Sequence, residues 1–480
     1  MVIKPTLVLG ALALTLSSLF AAEPALPSWV GEVGARSAPA AGPVFSVATY
    51  GAVADGTTLT TAAIQRTIDA CAAHGGGTVI IPAGRYLTGA LFVKSGVRLR
   101  IETGATLLAT TDEKAYPQLP TRIGGIEMVW PAALLNVYGQ HDVAIEGPGS
   151  ADGNGPYWWR KFWDLRKAYD RRGLRWAADY DCQRVRLVTV WKSSDVTLSG
   201  LHLRRSGFWT VQVTYCDHVT VDGITIADNF MSEGVKGAST DGVDVDSSRY
   251  VLVQHCDIDN NDDDICLKAG RDADGLRVNR PTEYVVVRDN VCRRGGGVVS
   301  FGSETAGVIR HVVAYRDTGI GTNEGLRFKS TRNRGGGVED VLIRDITLTN
   351  VPYPFTFTFD WNPAYSNVTI PAGMKHVPAM WRVVAEPVVP PERGYPYIHD
   401  VTIENVRAVG ARRILTASGL PEKPLGSVTW RSIDAEGAQA GFVRYARDWT
   451  MSGVRFHTSD GKPVNRSHCD HVDAPAVDRE

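Results

Sequence analysis

The sequence predicts an all-β chain wound as a right-handed, single-stranded parallel β-helix, closed at its start by a short helix. Three observations carry that expectation. A short β-branched string recurs at intervals of twenty to thirty-odd residues, and a second set of strings keeps time with it. Glycine and Asn/Asp turns also recur along the whole chain, while long apolar helical runs are scarce.

Residues 1–22 read as an export signal. Lys4 supplies the positive end, Leu7 to Phe20 is almost wholly apolar, and Ala21-Ala22 offers small residues for cleavage. That apolar run falls short of the roughly 20 residues a membrane span requires. No later run is long and apolar enough, so the mature protein is expected to have no membrane span and to be exported, to the periplasm or outside the cell. Residues 23–44, with several Ala and Pro, read as a loose lead-in, and residues 45–480 as one repeating domain without a linker. Within it, Thr60 to Ala73 places Ile64, Ile68 and Cys71/Ala72 at helical spacing before Gly75-Gly76-Gly77. One amphipathic helix ahead of a long β region suits a cap over an open solenoid end.

The first repeat series is Asp195-Val196-Thr197-Leu198, His218-Val219-Thr220-Val221, Tyr250-Val251-Leu252-Val253, Tyr284-Val285-Val286-Val287, His311-Val312-Val313, Asp340-Val341-Leu342-Ile343 and Asp400-Val401-Thr402-Ile403. Its first valines are 23, 32, 34, 27, 29 and 60 residues apart, the last gap being about two turns. Val243, Ile265, Val299 and Leu326 open a second series at spacings of 22, 34 and 27. Insertions lengthen both series in nearly the same coils, which implies two sheets of one coil. A β-sandwich would show closer spacing, about 8 to 12 residues.

Stacking gives the second series its chemical interest, because equivalent positions in neighbouring coils lie about 4.8 Å apart. Thr240-Asp241-Gly242 precedes Val243, and Asp262-Asp263-Asp264 precedes Ile265. Asp241 and Asp263 therefore stand one above the other, with Asp262 alongside. Lys268 and Lys329 share a register further along the strands, and Arg327 has the same outward parity. A lone Asp-Gly is usually a turn whose carboxylate accepts backbone N–H groups. Three stacked acids followed by basic residues on the same strip read instead as an acid and base pair for hydrolysis. Crowded carboxylates raise one another's pKa, which a general acid needs. An inverting glycosidase also wants its two carboxyls about 6.5 to 9.5 Å apart, a separation that adjacent coils can supply.

The formal charge of −1, from 51 basic and 52 acidic residues, offers no global field for nucleic acid or an anionic membrane. Seven cysteines without a CxxC pair make neither a disulfide framework nor a zinc site. Cys256, Cys266 and Cys292, inside β strings, read as small buried hydrophobes. One disulfide is compatible with the sequence, which does not assign it.

At these residues the chain resembles glycoside hydrolase family 28, the polygalacturonase family. Ser239-Thr240-Asp241-Gly242 resembles its Asn-Thr-Asp-Gly motif and Asn261-Asp262-Asp263 its Gly-Asp-Asp. Gly302-Ser303-Glu304 and Arg327-Phe328-Lys329 resemble its Gly-Ser-Glu and Arg-Ile-Lys. An N-terminal pattern shared by several pectin-active β-helices appears in Tyr50 to Gly56, Gly75 to Val79 and Pro82 to Tyr86. The resemblance spans roughly Phe45 to Val454. It implies a solenoid of the pectin-lyase type and an inverting galacturonohydrolase that needs neither metal nor cofactor. Asp262 would protonate the leaving oxygen, and Asp241 and Asp263 would activate water. Arg327 and Lys329, with Lys268 and Glu304 beside them, would meet substrate, and a monomer acting on a pectic polysaccharide is expected.

Two departures bear on substrate. Ser239 stands where the family carries Asn. The family's Gly-His-Gly segment reads Gly295-Gly296-Gly297 here, so the imidazole over the cleavage point is missing and its volume is expected to be empty. Members that cleave rhamnogalacturonan look like this, as do Asp152-Gly153-Asn154-Gly155 with Trp158, Trp159 and Trp163, and Gly207-Phe208-Trp209. Trp209, inside a strand string, is more often core than a sugar platform. The expected substrate is thus the galacturonosyl–rhamnose linkage, with homogalacturonan as the alternative. A Ca²⁺-dependent pectate lyase and a non-catalytic polysaccharide-binding β-helix are rivals from other classes.

Overall fold

The computed structural model describes residues 26–228 and 234–479; the expected signal segment and its cleavage point lie outside them. The chain is a right-handed parallel β-helix, with 32 strands in one continuous ladder among the described residues, and the first repeat series is its register. Val196 pairs with Val219, Val219 with Val251, Val251 with Val285, Val285 with Val312, and Val312 with Val341. The second series pairs Val243 with Ile265, Ile265 with Val299 and Val299 with Leu326.

Two expectations about the coil are corrected. Val341 pairs directly with Val401, so the 60-residue gap is one turn carrying a long insertion, not two turns. Each coil also has a third sheet, built in successive coils from His202–Arg204, Thr225–Ala227, Asp257–Asp259, Val291–Arg293 and Thr318–Ile320. Strands of three residues leave too little alternation to be seen in sequence.

The polar residue ahead of each ladder valine has a structural cause. Asp195, His218, Tyr250, Tyr284, His311, Asp340 and Asp400 all adopt left-handed backbone, with φ between 49° and 57°, to turn the chain into the second sheet. Asp and His tolerate that conformation better than most side chains; tyrosine does so less readily. The rings of His218, Tyr250, Tyr284 and His311 stack at 4.6, 4.9 and 4.7 Å, and this stacking offsets the strain. The lead-in is not loose. Its Trp29, Val30 and Val33 pack against Val286, Val313 and Leu342 on the outer face, and the Gly34 N–H donates to the Tyr250 carbonyl at 2.9 Å.

The cap forms as predicted. Helix Thr61–Ala73 buries Ala63, Ile64, Thr67, Ile68 and Cys71 over the first coil. Its glycine stop is dictated by close approach: a Cβ on Gly76, at φ +106°, would lie 2.5 Å from the Gly96 carbonyl oxygen. Inside the solenoid like residues stack on like, as in Phe301, Phe328 and Phe357 with ring centres 4.5 and 4.6 Å apart. All seven cysteines are free thiols. Cys256, Cys266 and Cys292 are all buried as expected; Cys256 and Cys292 line the core, while strand parity turns Cys266 to the other face of its sheet, with Sγ 3.5 Å from Asp263 Oδ2.

Three insertions build a lobe against one stretch of the outer surface. They are the antiparallel hairpin Gln118–Ile123/Ile126–Pro131, the segment 153–187 with helix Gly155–Asp170, and the segment 359–396. Their apolar residues form a second core around Trp130, Trp176, Phe208, Trp209 and Trp381. Trp158 and Trp159 are buried packing residues with 1% exposure each, so neither is placed to meet a sugar.

Candidate active site

The acids predicted from the second series converge. One carboxylate oxygen from each of Asp241, Asp262 and Asp263 lies within 4.8 Å of the others. Strand Val243–Asp246 follows Asp241 and strand Ile265–Lys268 follows Asp262-Asp263, and the Val243–Ile265 pairing sets the two turns one above the other. Their nearest oxygens are closer than the roughly 6.5 to 9.5 Å expected between the carboxyls, because adjacent rungs and neighbouring residues on one rung crowd the acids together, and a spacing of up to 4.8 Å lets one water hydrogen-bond two of them at once.

The three carboxyls have different surroundings. Asp263 is fully buried; Ser300 Oγ donates to it at 2.7 Å, Arg327 Nη1 at 2.9 Å, and Lys329 Nζ completes the clamp. Burial alone would raise its pKa, but Lys329, then Arg327 and Lys268, outweigh burial and hold it ionised well below the usual carboxylate range. Asp262 is half-buried, and its carboxyl is pushed up by burial and by the Asp263 charge. Asp241 is pushed up further by burial, Asp244 and Asp262, although Lys268 Nζ lies 3.3 Å from its Oδ2. The arrangement thus holds one anion at the rear beside two carboxyls that retain protons into milder pH.

The basic residues divide. Lys268 lies 3.3 Å from Asp241, 3.2 Å from Asp244 and 3.8 Å from Glu304, with the Trp209 ring 5.3 Å away. Glu304 is held at about 2; its burial is outweighed by Lys268, Arg334 and Lys329. Lys329 reaches the cleft beneath the Trp361 ring, 4.7 Å away. Arg327 is paired with Asp263 and Glu324 at 14% side-chain exposure, and its guanidinium lies 6.0 Å from the Trp361 ring, so it stands beside Lys329 next to the acids.

Gly295-Gly296-Gly297 leaves no vacancy, contrary to the expectation of an imidazole-sized space. A Cβ on Gly295 would fall 2.2 Å from Asp264 Oδ1, and one on Gly296 would fall 3.0 Å from the Asp262-Asp263 backbone. One on Gly297 would meet Ser300 Oγ at 2.7 Å. The glycines let this rung lie directly on the acidic one. Ser239 has φ +52°, a conformation that Asn adopts more easily, and its hydroxyl lies 3.4 Å from Asp179 and from Arg184.

Sequence reasoning missed part of the cleft. Asp244 is buried with its pKa raised to about 7, chiefly by burial. The alternation Val243-Asp244-Val245-Asp246 places it outward beside Cys266, a legible signal. Arg175, Asp179, Trp361, Asn362 and Tyr365 come from the insertions, with no periodicity to announce them. Trp209 belongs to both readings, since it packs in the lobe core and lines the cleft. Asp241 with Asp244 and Cys266, or with Asp262 and Asp263, has the spacing of cation ligands. Lys268, Lys329 and Arg327 already place positive charge on those oxygens.

Known proteins are similar to this chain in sequence and fold. The family described as glycosyl hydrolases family 28 matches residues 71–376. A probable polygalacturonase of Vitis vinifera is 28% identical over 422 residues, 82% of this chain and 78% of that protein. An exo-poly-α-D-galacturonosidase of Dickeya chrysanthemi is 30% identical over 340 residues, 64% of this chain and 55% of that protein. The solved structure of an exopolygalacturonase from Thermotoga maritima superposes with a TM-score of 0.73 at 24% identity, over 88% of this chain and 95% of that one, which establishes likeness of fold.

Proposed function

The chain belongs to glycosyl hydrolases family 28, and from that premise we propose that it hydrolyses α-galacturonosyl linkages with Asp262 as acid and the Asp241/Asp263 pair as base. That it is a glycoside hydrolase acting on galacturonan follows from the family and its relatives. The observation that carries the proposal is the split environment of the acids: Asp263 is held ionised, Asp262 and Asp241 are both pushed up, and the choice of Asp262 as the acid follows the family resemblance. Asp262 faces the cleft with a raised pKa and so brings a proton to the glycosidic oxygen as the C1–O bond breaks. Water adds to C1 and passes its proton to the carboxylate pair. Asp263, kept ionised but walled in at 1% side-chain exposure, polarises that water and cannot itself reach C1. Attack by water gives inversion, so the first product from an α-linkage carries a β-anomeric proton by NMR. An α-anomeric first product would refute this assignment.

The substrate we propose is rhamnogalacturonan, cut at the galacturonosyl–rhamnose linkage. Two features support a neutral neighbour over a second galacturonate. No imidazole stands over the acids, and each cation lining the cleft already has a carboxylate: Lys268 with Asp241, Lys329 with Asp263, Arg175 with Asp179. Phe208, Trp209 and Trp361 supply apolar faces for a deoxy sugar. Homogalacturonan is the second reading, favoured by the polygalacturonase names of the relatives. Specific activity on the two purified polymers decides, and faster cleavage of homogalacturonan removes the rhamnose preference. An export signal at the N-terminus would bring the enzyme to either polymer.

A further inference from the structure

We propose that the cleft is a dead end, so that the protein removes sugar units from a chain terminus and does not cut internally; this rests on the hydrolase reading above. In a bare β-helix the face bearing the acids is a trough, open along the axis in both directions, and a polymer could lie through it. Here segment 153–187 crosses that trough on the N-terminal side of the acids. At one margin it is tied to the turn before Asp241: Trp163 Nε1 donates to the Lys236 carbonyl at 2.8 Å and Arg184 Nη1 to the Ala238 carbonyl at 2.5 Å. At the other margin Tyr180 accepts from Arg271 Nη1 at 2.9 Å, just past the strand that follows Asp263, and donates to the Gly124 carbonyl at 3.0 Å. One segment therefore spans the full width of the sheet, and the guanidinium of Arg184 lies 4.2 Å from the Phe208 ring beneath it.

The wall is braced from the opposite direction. Segment 359–396 leaves the solenoid several coils later and reaches back, so that the Trp381 ring lies 4.9 Å from Trp176 and Trp381 Nε1 donates to Asp181. The hairpin tip is wedged between the two. Gly124 and Gly125 both have positive φ, and a Cβ on Gly124 would lie 2.9 Å from the hydroxyls of both Tyr180 and Tyr365. A chain cannot thread a junction that has no room for a methyl group. The cleft that remains has about 130 Å³ of free volume. Sites for larger ligands run from about 300 to 1,000 Å³. The space suits one terminal galacturonate beside the acids.

The test uses the full mature chain and rhamnogalacturonan and homogalacturonan oligosaccharides labelled at the reducing end, together with viscometry on the polymers. Stepwise shortening of homogalacturonan and loss of a single terminal galacturonate from rhamnogalacturonan are expected, with viscosity falling less than roughly one-tenth as fast per bond broken as with an internally cutting pectinase. Early mid-sized products with collapsing viscosity would overturn the dead end while leaving the hydrolase reading intact. No cleavage of either polymer would overturn the hydrolase reading on which it stands. In Trp381→Ala, which loosens the brace, internal products should rise at least fivefold. An unchanged product pattern in an active, folded variant would show that these insertions do not set the mode of attack.

Discussion

Replacing Lys329 by methionine separates two roles for that residue, as a clamp on Asp263 or as a partner for substrate. Its side chain is 4% exposed and its ammonium contacts Asp263, itself 1% exposed. Removing one member of a buried ion pair typically costs 3–5 kcal/mol. Arg327 at 2.9 Å and Ser300 at 2.7 Å stay in place, so the lower end, about 3 kcal/mol, is the reasonable magnitude here. At about 1.4 kcal/mol per pKa unit that is about two units on Asp263. Lys329 also lowers Asp262, so losing it raises both carboxyls. The sign is therefore fixed: Asp263, which starts well below the usual carboxylate range, stays ionised across the assay, while the alkaline limb of the rate profile, set by Asp262, moves to higher pH. Initial rates of reducing-sugar release between pH 3 and 9 measure this directly. A profile that keeps its position while KM alone rises would show that Lys329 only meets substrate, and would refute the clamp.

Asp262→Asn should keep the fold and lose roughly 10²- to 10⁴-fold in turnover, because an amide cannot donate the proton; near-normal turnover sinks the assignment. Asp241→Asn should be similarly inactive yet stable, whereas Asp263→Asn should also lower thermal stability, since it leaves Lys329 and Arg327 buried against a neutral group. Prolonged dialysis against a strong chelator should leave the rate unchanged, and activity restored only by added Ca²⁺ would favour a lyase. Burial raises Asp228, Asp244 and Asp317 to about 7, so the folded chain holds protons there that an unfolded chain releases near pH 4. Stability should accordingly fall as pH rises from about 4 to 7, by about 1 kcal/mol per pH unit for each group. Asp317→Asn should flatten that slope in thermal melts, and a slope unchanged from the parent would mean Asp317 is already ionised.

The coil was legible in sequence because its signal is carried by repetition. Val196 through Val341 and Val243 through Leu326 keep their register in the ladder, and the acids fell into place once those two series were aligned. Failures lie where nothing repeats. The three-residue strands of the third sheet are too short to alternate, and the insertion before Val401 disguised one turn as two. Gly124-Gly125 between two β strings was a readable hairpin signal, but the contact of Gly124 with Tyr180 and Tyr365 depends on segments 56 and more than 200 residues away. The glycines at 295–297 were legible as an absence of histidine. That they make room for Asp264 and for the backbone of the acidic rung depends on three-dimensional packing alone.

The division between what repeats and what does not follows the division between chemistry and selectivity. Asp241 and Asp244 lie on one rung, Asp262 and Asp263 on the next, Ser300 and Glu304 on the third, and Arg327 and Lys329 on the fourth. Ladder hydrogen bonds fix the rung spacing near 4.8 Å, so the mutual effects of these charges are set by the solenoid and need no loop to hold them. The insertions contribute none of the catalytic carboxyls. They supply Arg175, Asp179, Trp361 and Tyr365, which shape the space a sugar enters, and the wall across the trough. Exchanging an insertion should therefore change which linkage reaches the acids and whether it is terminal, while a change on the rungs, such as Lys329→Met, alters the proton chemistry for every substrate.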